Sequence, residues 1–184
     1  MAETKKTTVE EKKPVEKVET KKVETTADKK EHFATAKSIN LPISTKQSVE
    51  ISNFIRRKET SKAKMLLNEV LEHKRAVPFK RYNRDTGHKP GNIASGRYPE
   101  KAIQNFLILI NTAEANAEDK GLDSKNLIIT EMKADQGPQQ WHQGRMRRRK
   151  MKNTHLSIKV MEKEEWLREI LYKKNLKNLK LWNT

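Results

Sequence analysis

Between Ala102 and Val160 the apolar residues change period once, and that switch restricts the chain to an α+β body. Ala102, Ile103, Phe106, Leu107, Ile110 and Ala113 recur at spacings of three and four, which makes one stripe of a helix. Pro99 suits its first turn and Lys120-Gly121 its end. Beyond Gly121 the period falls to two. Leu127, Ile129, Glu131 and Lys133 alternate with Ile128, Thr130 and Met132, while Leu156, Ile158 and Val160 alternate with Ser157, Lys159 and Met161, as two antiparallel strands would. From Ala134 to Asn153 there are 20 residues including Gly137-Pro138 and Gly144, too many for a tight turn. At ~3.3 Å per residue, two limbs of about ten residues reach roughly 30 Å, so a long protruding β-hairpin arm is expected over about 127–161.

Two helices are expected before this unit. Ser44 can cap one that runs to about Arg57 with Ile51, Phe54 and Ile55 on one face. Thr60 or Ser61 can cap a second, whose stripe is Ala63, Leu66, Leu67, Val70 and Leu71, and Pro78 should stop it near Ala76. The expected fold is three helices packed on a small antiparallel sheet. At the C-terminal end, Trp166, Leu167, Ile170 and Leu171 lie at helical spacing, so 164–184 reads as a short amphipathic helix. Residues 1–37 read as a low-complexity Lys/Glu-rich tail, expected to be disordered, which leaves 38–163 as the folded domain.

Charge narrows the function. The chain carries +16, and residues 1–31, with nine Lys against seven Glu and one Asp, account for +1 of it, leaving +15 on the remainder. Such an excess favours a polyanion, nucleic acid first and an anionic membrane second. The longest aliphatic and aromatic run, Phe106 to Ile110, is far too short to span a bilayer, and the N-terminus has no apolar h-region, so no membrane role and a cytosolic setting are expected. Without cysteine there are no disulfides, no thiolate nucleophile and no Cys-containing zinc site.

The densest cation cluster is Arg145, Arg147, Arg148, Arg149, Lys150 and Lys152, interleaved with Met146 and Met151 and preceded by Trp141 and His142. Guanidinium groups pair bidentately with phosphate and Trp stacks on unpaired bases, which suits folded RNA. A nuclear-localisation signal or a solvated charge run is the blander alternative; the cluster's place in a hairpin arm favours RNA. The loop from Phe79 to Arg97, with Lys80, Arg81, Arg84, Lys89 and Arg97 among Gly87, Gly91 and Gly96, reads as an ordered polar connection that needs an anionic surface.

Enzyme signatures are lacking. His32, His73, His88, His142 and His155 show no paired-ligand spacing, so no metal is expected. The glycines form no phosphate loop, and Glu114 and Glu118, four apart on one helix, read as a polar helix edge and not as a carboxylate pair. No cofactor is implied.

Several words of the sequence together resemble a known family. They are "RAVPFKRYNRDTGHKPG" (Arg75 to Gly91), "GRYPEKA" (Gly96 to Ala102), Asn111 to Asn116, "KGLD" (Lys120 to Asp123) and "THLSIKV" (Thr154 to Val160). In order, over about Ile39 to Glu164, the chain resembles the universal large-subunit ribosomal protein family L-twenty-two, called L-seventeen in eukaryotes, in its archaeal and eukaryotic form. The resemblance implies binding to large-subunit rRNA, a part in early assembly, neighbouring ribosomal proteins as partners, and a hairpin tip in the wall of the nascent-peptide exit tunnel. By position it implies rRNA contacts at Lys46, Arg56, Lys80, Arg81, Arg84, His88 and Arg97 on the body and at Gly144-Arg145 on the returning limb, while Lys89 and the arm cations Arg147, Arg148, Arg149, Lys150 and Lys152 are expected to bind rRNA on their charge. It also places Gln140, Trp141 and His142 at the tunnel-facing tip, beside the nascent polypeptide.

The chain departs from the family pattern where Arg56-Arg57 replaces the usual Arg-Gly after the first helix, and where "PQQWHQ" shortens a segment otherwise rich in Arg. Two alternatives share its charge: an RNA chaperone outside the ribosome, and an architectural DNA-binding protein using the β-arm in a groove. The sequence carries no sign of a homodimer interface, which weakens the second.

Overall fold

The computed structural model describes residues 32–168 and 170–172. Strand β1 (Phe33–Leu41) leads into helices α1 (Thr45–Ile55) and α2 (Thr60–Leu71), then strands β2 (Val77–Pro78) and β3 (Gly96–Arg97). Helix α3 (Glu100–Asp119) is followed by strands β4 (Leu127–Gln136) and β5 (Thr154–Glu162). The main sheet has the order β1-β5-β4, antiparallel throughout, and β2 pairs with β3 separately. Residues 163–168 and 170–172 are helical, and the rest of the expected C-terminal helix lies outside the described residues, as does the tail before residue 32.

The core forms where the helical stripe meets the alternating strands. Ala102, Ile103, Phe106, Leu109, Ile110 and Ala113 of α3 are buried against Leu156, Ile158 and Val160 of β5 and Ala34 and Ala36 of β1, within one cluster that takes in Leu67 and Ile55. Leu107, expected on this stripe, is half-buried, and Leu109 takes the inner position. The end of α3 falls where expected, with Lys120 at the C-cap and Gly121 at φ +74, a conformation that glycine adopts without a Cβ clash.

Four expectations need correction. The boundary of the N-terminal tail at residue 37 is too late, because β1 begins at Phe33 and pairs with β5 from Phe33↔Met161 onward. Helix α2 ends at Leu71 and not near Ala76: His73 turns into the left-handed region at φ 59, and the amides of Lys74 and Arg75 close onto the Glu69 carbonyl. A proline restricts the residue immediately before it, and Pro78 is too distant to set this end. The start of α2 differs as well, since Thr60 lies inside the helix after Glu59 at the N-cap, whereas Ser44 does stand at the N-cap of α1, without a side-chain hydrogen bond. Strict alternation fails in β4, where Thr130 is left out of the ladder between Ile129↔Val160 and Glu131↔Lys159. That extra residue reverses the faces, so Met132 is buried and Glu131 and Lys133 are exposed.

Both outer edges of the sheet are occupied along the body. On β1, Asn116 Nδ2 donates to the Thr35 carbonyl at 2.9 Å and Lys120 Nζ to the Phe33 carbonyl at 3.2 Å. On β4, the Arg57 amide donates to the Ile129 carbonyl, the Ile129 amide donates to the Lys58 carbonyl, and Arg56 reaches the Met132 carbonyl at 3.0 Å. This is where Arg57 stands in place of the glycine that the resemblance implies, at φ 62, held in a backbone conformation that favours glycine by the two hydrogen bonds to β4.

Candidate nucleic-acid interface

Cations from four separate segments meet in one cleft of about 430 Å³: Lys46 at the start of α1, Arg81 and Arg84 after β2, Arg97 on β3, and Lys152 just before β5. No acidic side chain lines it. Aromatic rings steady the cations, with the Lys46 ammonium 5.8 Å and the Arg81 guanidinium 5.4 Å from the centre of Tyr82, and Arg97 at 5.6 Å from Phe79. Arg97 also donates to Thr86 Oγ1 at 3.1 Å. A concave surface of positive charge with flat rings beneath it suits phosphate and sugar, and offers little to a neutral small molecule.

Glu50 sets the shape of this cleft from beneath. Its side chain is buried, and one oxygen accepts the backbone amides of Arg81 at 2.7 Å and Tyr82 at 2.8 Å. The carboxylate thus acts as an internal clamp on the loop that carries the cations. Glu50→Ala is expected to cost about 2 kcal/mol, because two part-buried donors lose their acceptor. The readout is the urea midpoint, and an unchanged midpoint would show that the loop holds its shape without Glu50.

The hairpin end is organised separately. Trp141 bridges to Lys150, the His142 amide donates to the Arg149 carbonyl at 2.9 Å, and the Met151 amide donates to the Gln140 carbonyl at 2.7 Å. Lys150 lies 4.8 Å from the Trp141 ring centre. Arg145, Arg147, Arg148 and Arg149 line a hollow of about 540 Å³ at a 3-10 turn over Gly144–Met146, and all four are exposed. Gln140 and Trp141 are exposed and His142 is half-buried. At the base, Gly137 approaches Asn153 so closely that a Cβ would fall 2.9 Å from its side chain, and the Gly137 amide donates to the Asn153 carbonyl.

The other expected contact residues do not join the cleft. Lys80 is exposed on the same loop, His88 bridges to Ser95, and Lys89 is half-buried with its ammonium 5.1 Å from the Tyr98 ring centre. Arg56 is tied to β4. Beside it, the hydrogen bond from Lys133 holds the Glu131 carboxyl below its usual range and raises the Lys133 ammonium, so this pair cancels its own charge. Sequence reasoning missed Glu50, which belongs to no charge cluster or motif, and it gave no role to Tyr82, although that residue stands within the Arg75 to Gly91 word. Glu114, weighed as half of a carboxylate pair, forms an ion pair with Lys64. Among the described residues there is no metal-ligating cluster, and no helix is long and apolar enough to cross a membrane.

Comparison with known proteins shows the family. The family model described as ribosomal protein L22p/L17e matches residues 36–161. Proteins named large ribosomal subunit protein uL22 are similar: that of Methanoculleus marisnigri is 44% identical over 109 residues, 58% of this chain and 71% of its own. That of Nanoarchaeum equitans is 40% identical over 143 residues, 74% of this chain and 82% of its own. A Saccharomyces cerevisiae relative is 33% identical over 150 residues, 77% of this chain and 82% of its own. The matched span takes in α1 to α3, β4 and all but the last residue of β5, and the chain belongs to the ribosomal protein L22p/L17e family, whose members are structural components and not enzymes.

Proposed function

We propose that the chain is a structural constituent of the large subunit of the cytoplasmic ribosome, present as a single copy, where it binds large-subunit rRNA and aids assembly. One observation carries the reading: Lys46, Arg81, Arg84, Arg97 and Lys152 converge from distant parts of the chain on an acid-free cleft, and Lys152 continues into the arginine-lined hairpin end. Separate segments gain nothing by gathering like charges unless a polyanion receives them. In this reading Arg56, Lys80, His88 and Lys89 border the same RNA, and Arg145, Arg147, Arg148, Arg149 and Lys150 anchor the hairpin. Gln140, Trp141 and His142 then lie along the exit tunnel beside the nascent chain, and neighbouring ribosomal proteins complete the surroundings.

The affinity is expected to be dominated by phosphate contacts. If about eight cations engage irregular RNA, log K falls with log salt at a slope near −6. Filter binding of a large-subunit rRNA fragment across a salt series reads this slope. A value near zero would remove the electrostatic basis of the proposal.

A further inference from the structure

A second hollow, of about 570 Å³, shares no residue with the cationic cleft. It lies between α2, the 57–59 segment that covers β4, and the start of the C-terminal helix. Its floor is apolar: Met65, Leu66, Ile128 and Trp166 line it, and Met65 is 55% exposed although it belongs to a helix whose other large apolar residues point inward. Cations stand around it at Arg57, Lys58, Lys62, Arg75 and Lys163, with Glu59 as the one acid.

These charges are arranged unlike those of the RNA-type cleft. Glu59 is bonded by Lys62 and Lys163, each at 3.1 Å, and these bonds hold its carboxyl below the usual range. Arg75 pairs with Glu69 at 2.9 Å. A phosphate chain entering here would meet a carboxylate already in place and an apolar floor that it could not use. Arg57, by contrast, has no ion-pair partner among the described residues, and the Lys58 ammonium is held against the Phe54 ring at 4.3 Å. Burial, and then repulsion from Arg75, lowers the pKa of Lys58, and a carboxylate placed beside it would counter that repulsion.

We propose that this groove is a protein-docking surface, which receives an acidic amphipathic helix of a partner, with large apolar side chains on Met65, Leu66, Ile128 and Trp166 and carboxylates toward Arg57 and Lys58. Helix-in-groove recognition uses this combination of an apolar floor and a charged border, with orientation set by the charges. The excess of cations over acids selects an acidic partner, and the floor selects a protein over RNA.

The probe is a short labelled synthetic helix with Glu on one face and Leu and Phe at spacings of three and four on the other. A reference peptide keeps the Glu residues and replaces Leu and Phe by Ser. Titrated against the full chain, the amphipathic peptide is expected to bind about tenfold more tightly than the reference, and Met65→Glu to remove about that factor, the effect of losing one central apolar anchor. Trp166→Ser, which lies outside the core cluster, is expected to do the same and serves if Met65→Glu alters the melting curve. A uridine oligonucleotide is titrated in parallel and is expected to bind both variants as it binds the parent chain. Equal binding of the two peptides, or peptide binding unmoved by both substitutions, would overturn the proposal. A loss of oligonucleotide affinity in Met65→Glu would assign the groove to RNA and overturn it too, while failure of the oligonucleotide to bind any form would count against the rRNA reading alone.

Discussion

Phe106→Ala is expected to remove about 3–5 kcal/mol of stability, the range for deleting a fully buried aromatic ring from a packed core. The ring is completely buried, on the face of α3 that meets the sheet, and belongs to the cluster that joins all three helices to β1, β4 and β5. Since domains are stable by only about 5–15 kcal/mol, this one change is expected to remove a large share of the total. Urea titration followed by circular dichroism measures it, with Ile108→Ala as the control. Ile108 is two residues away but 64% exposed, and its replacement is expected to change stability by about 0.5 kcal/mol or less. Equal effects at 106 and 108 would mean that α3 is not seated as described.

Replacing Arg145, Arg147 and Arg149 together by Ala is expected to lower RNA affinity about fifty-fold near 0.15 M salt, from a phosphate term of about 0.7 logarithmic units per contact and decade of salt. All three are exposed and line one hollow, so their loss removes charge without opening the core. In cells the expected result is a chain depleted from large subunits and accumulating at the top of a sucrose gradient. Replacing Gln140, Trp141 and His142 by Ala is expected to leave incorporation nearly intact and to change nascent-chain crosslinking from that end of the hairpin, because the arginines remain to anchor it. Full incorporation of the triple arginine variant would move the anchoring role to the body cleft.

These two sites differ in how far they could be read in advance. The stripe of α3 and the alternation of β5 are legible because each repeats over several turns or residue pairs, and burial then follows period. β1 is not, since its inward residues Ala34 and Ala36 carry little hydrophobic signal and it follows a Lys/Glu-rich leader. What makes it a strand is the partner β5, more than a hundred residues away in sequence. β2 and β3 span two residues each, too short for any period to register. In the interface, every cation of the cleft was visible by type, yet their meeting was not. It depends on Glu50 gripping two amides across 31 and 32 positions, a long-range contact that no local pattern encodes.

The closed flanks of the sheet have a consequence for the time before this chain meets its partner. An open strand edge is a template on which another copy can add by backbone pairing. Here α3 fills carbonyls of β1 through Asn116 and Lys120, and the 56–59 stretch does the same for the body end of β4. A newly made polycation released from its own synthesis is thereby denied the simplest route to self-association, and like-charge repulsion at +16 keeps copies apart at longer range. The same helices that build the core thereby also blunt part of both strand edges against pairing with another copy.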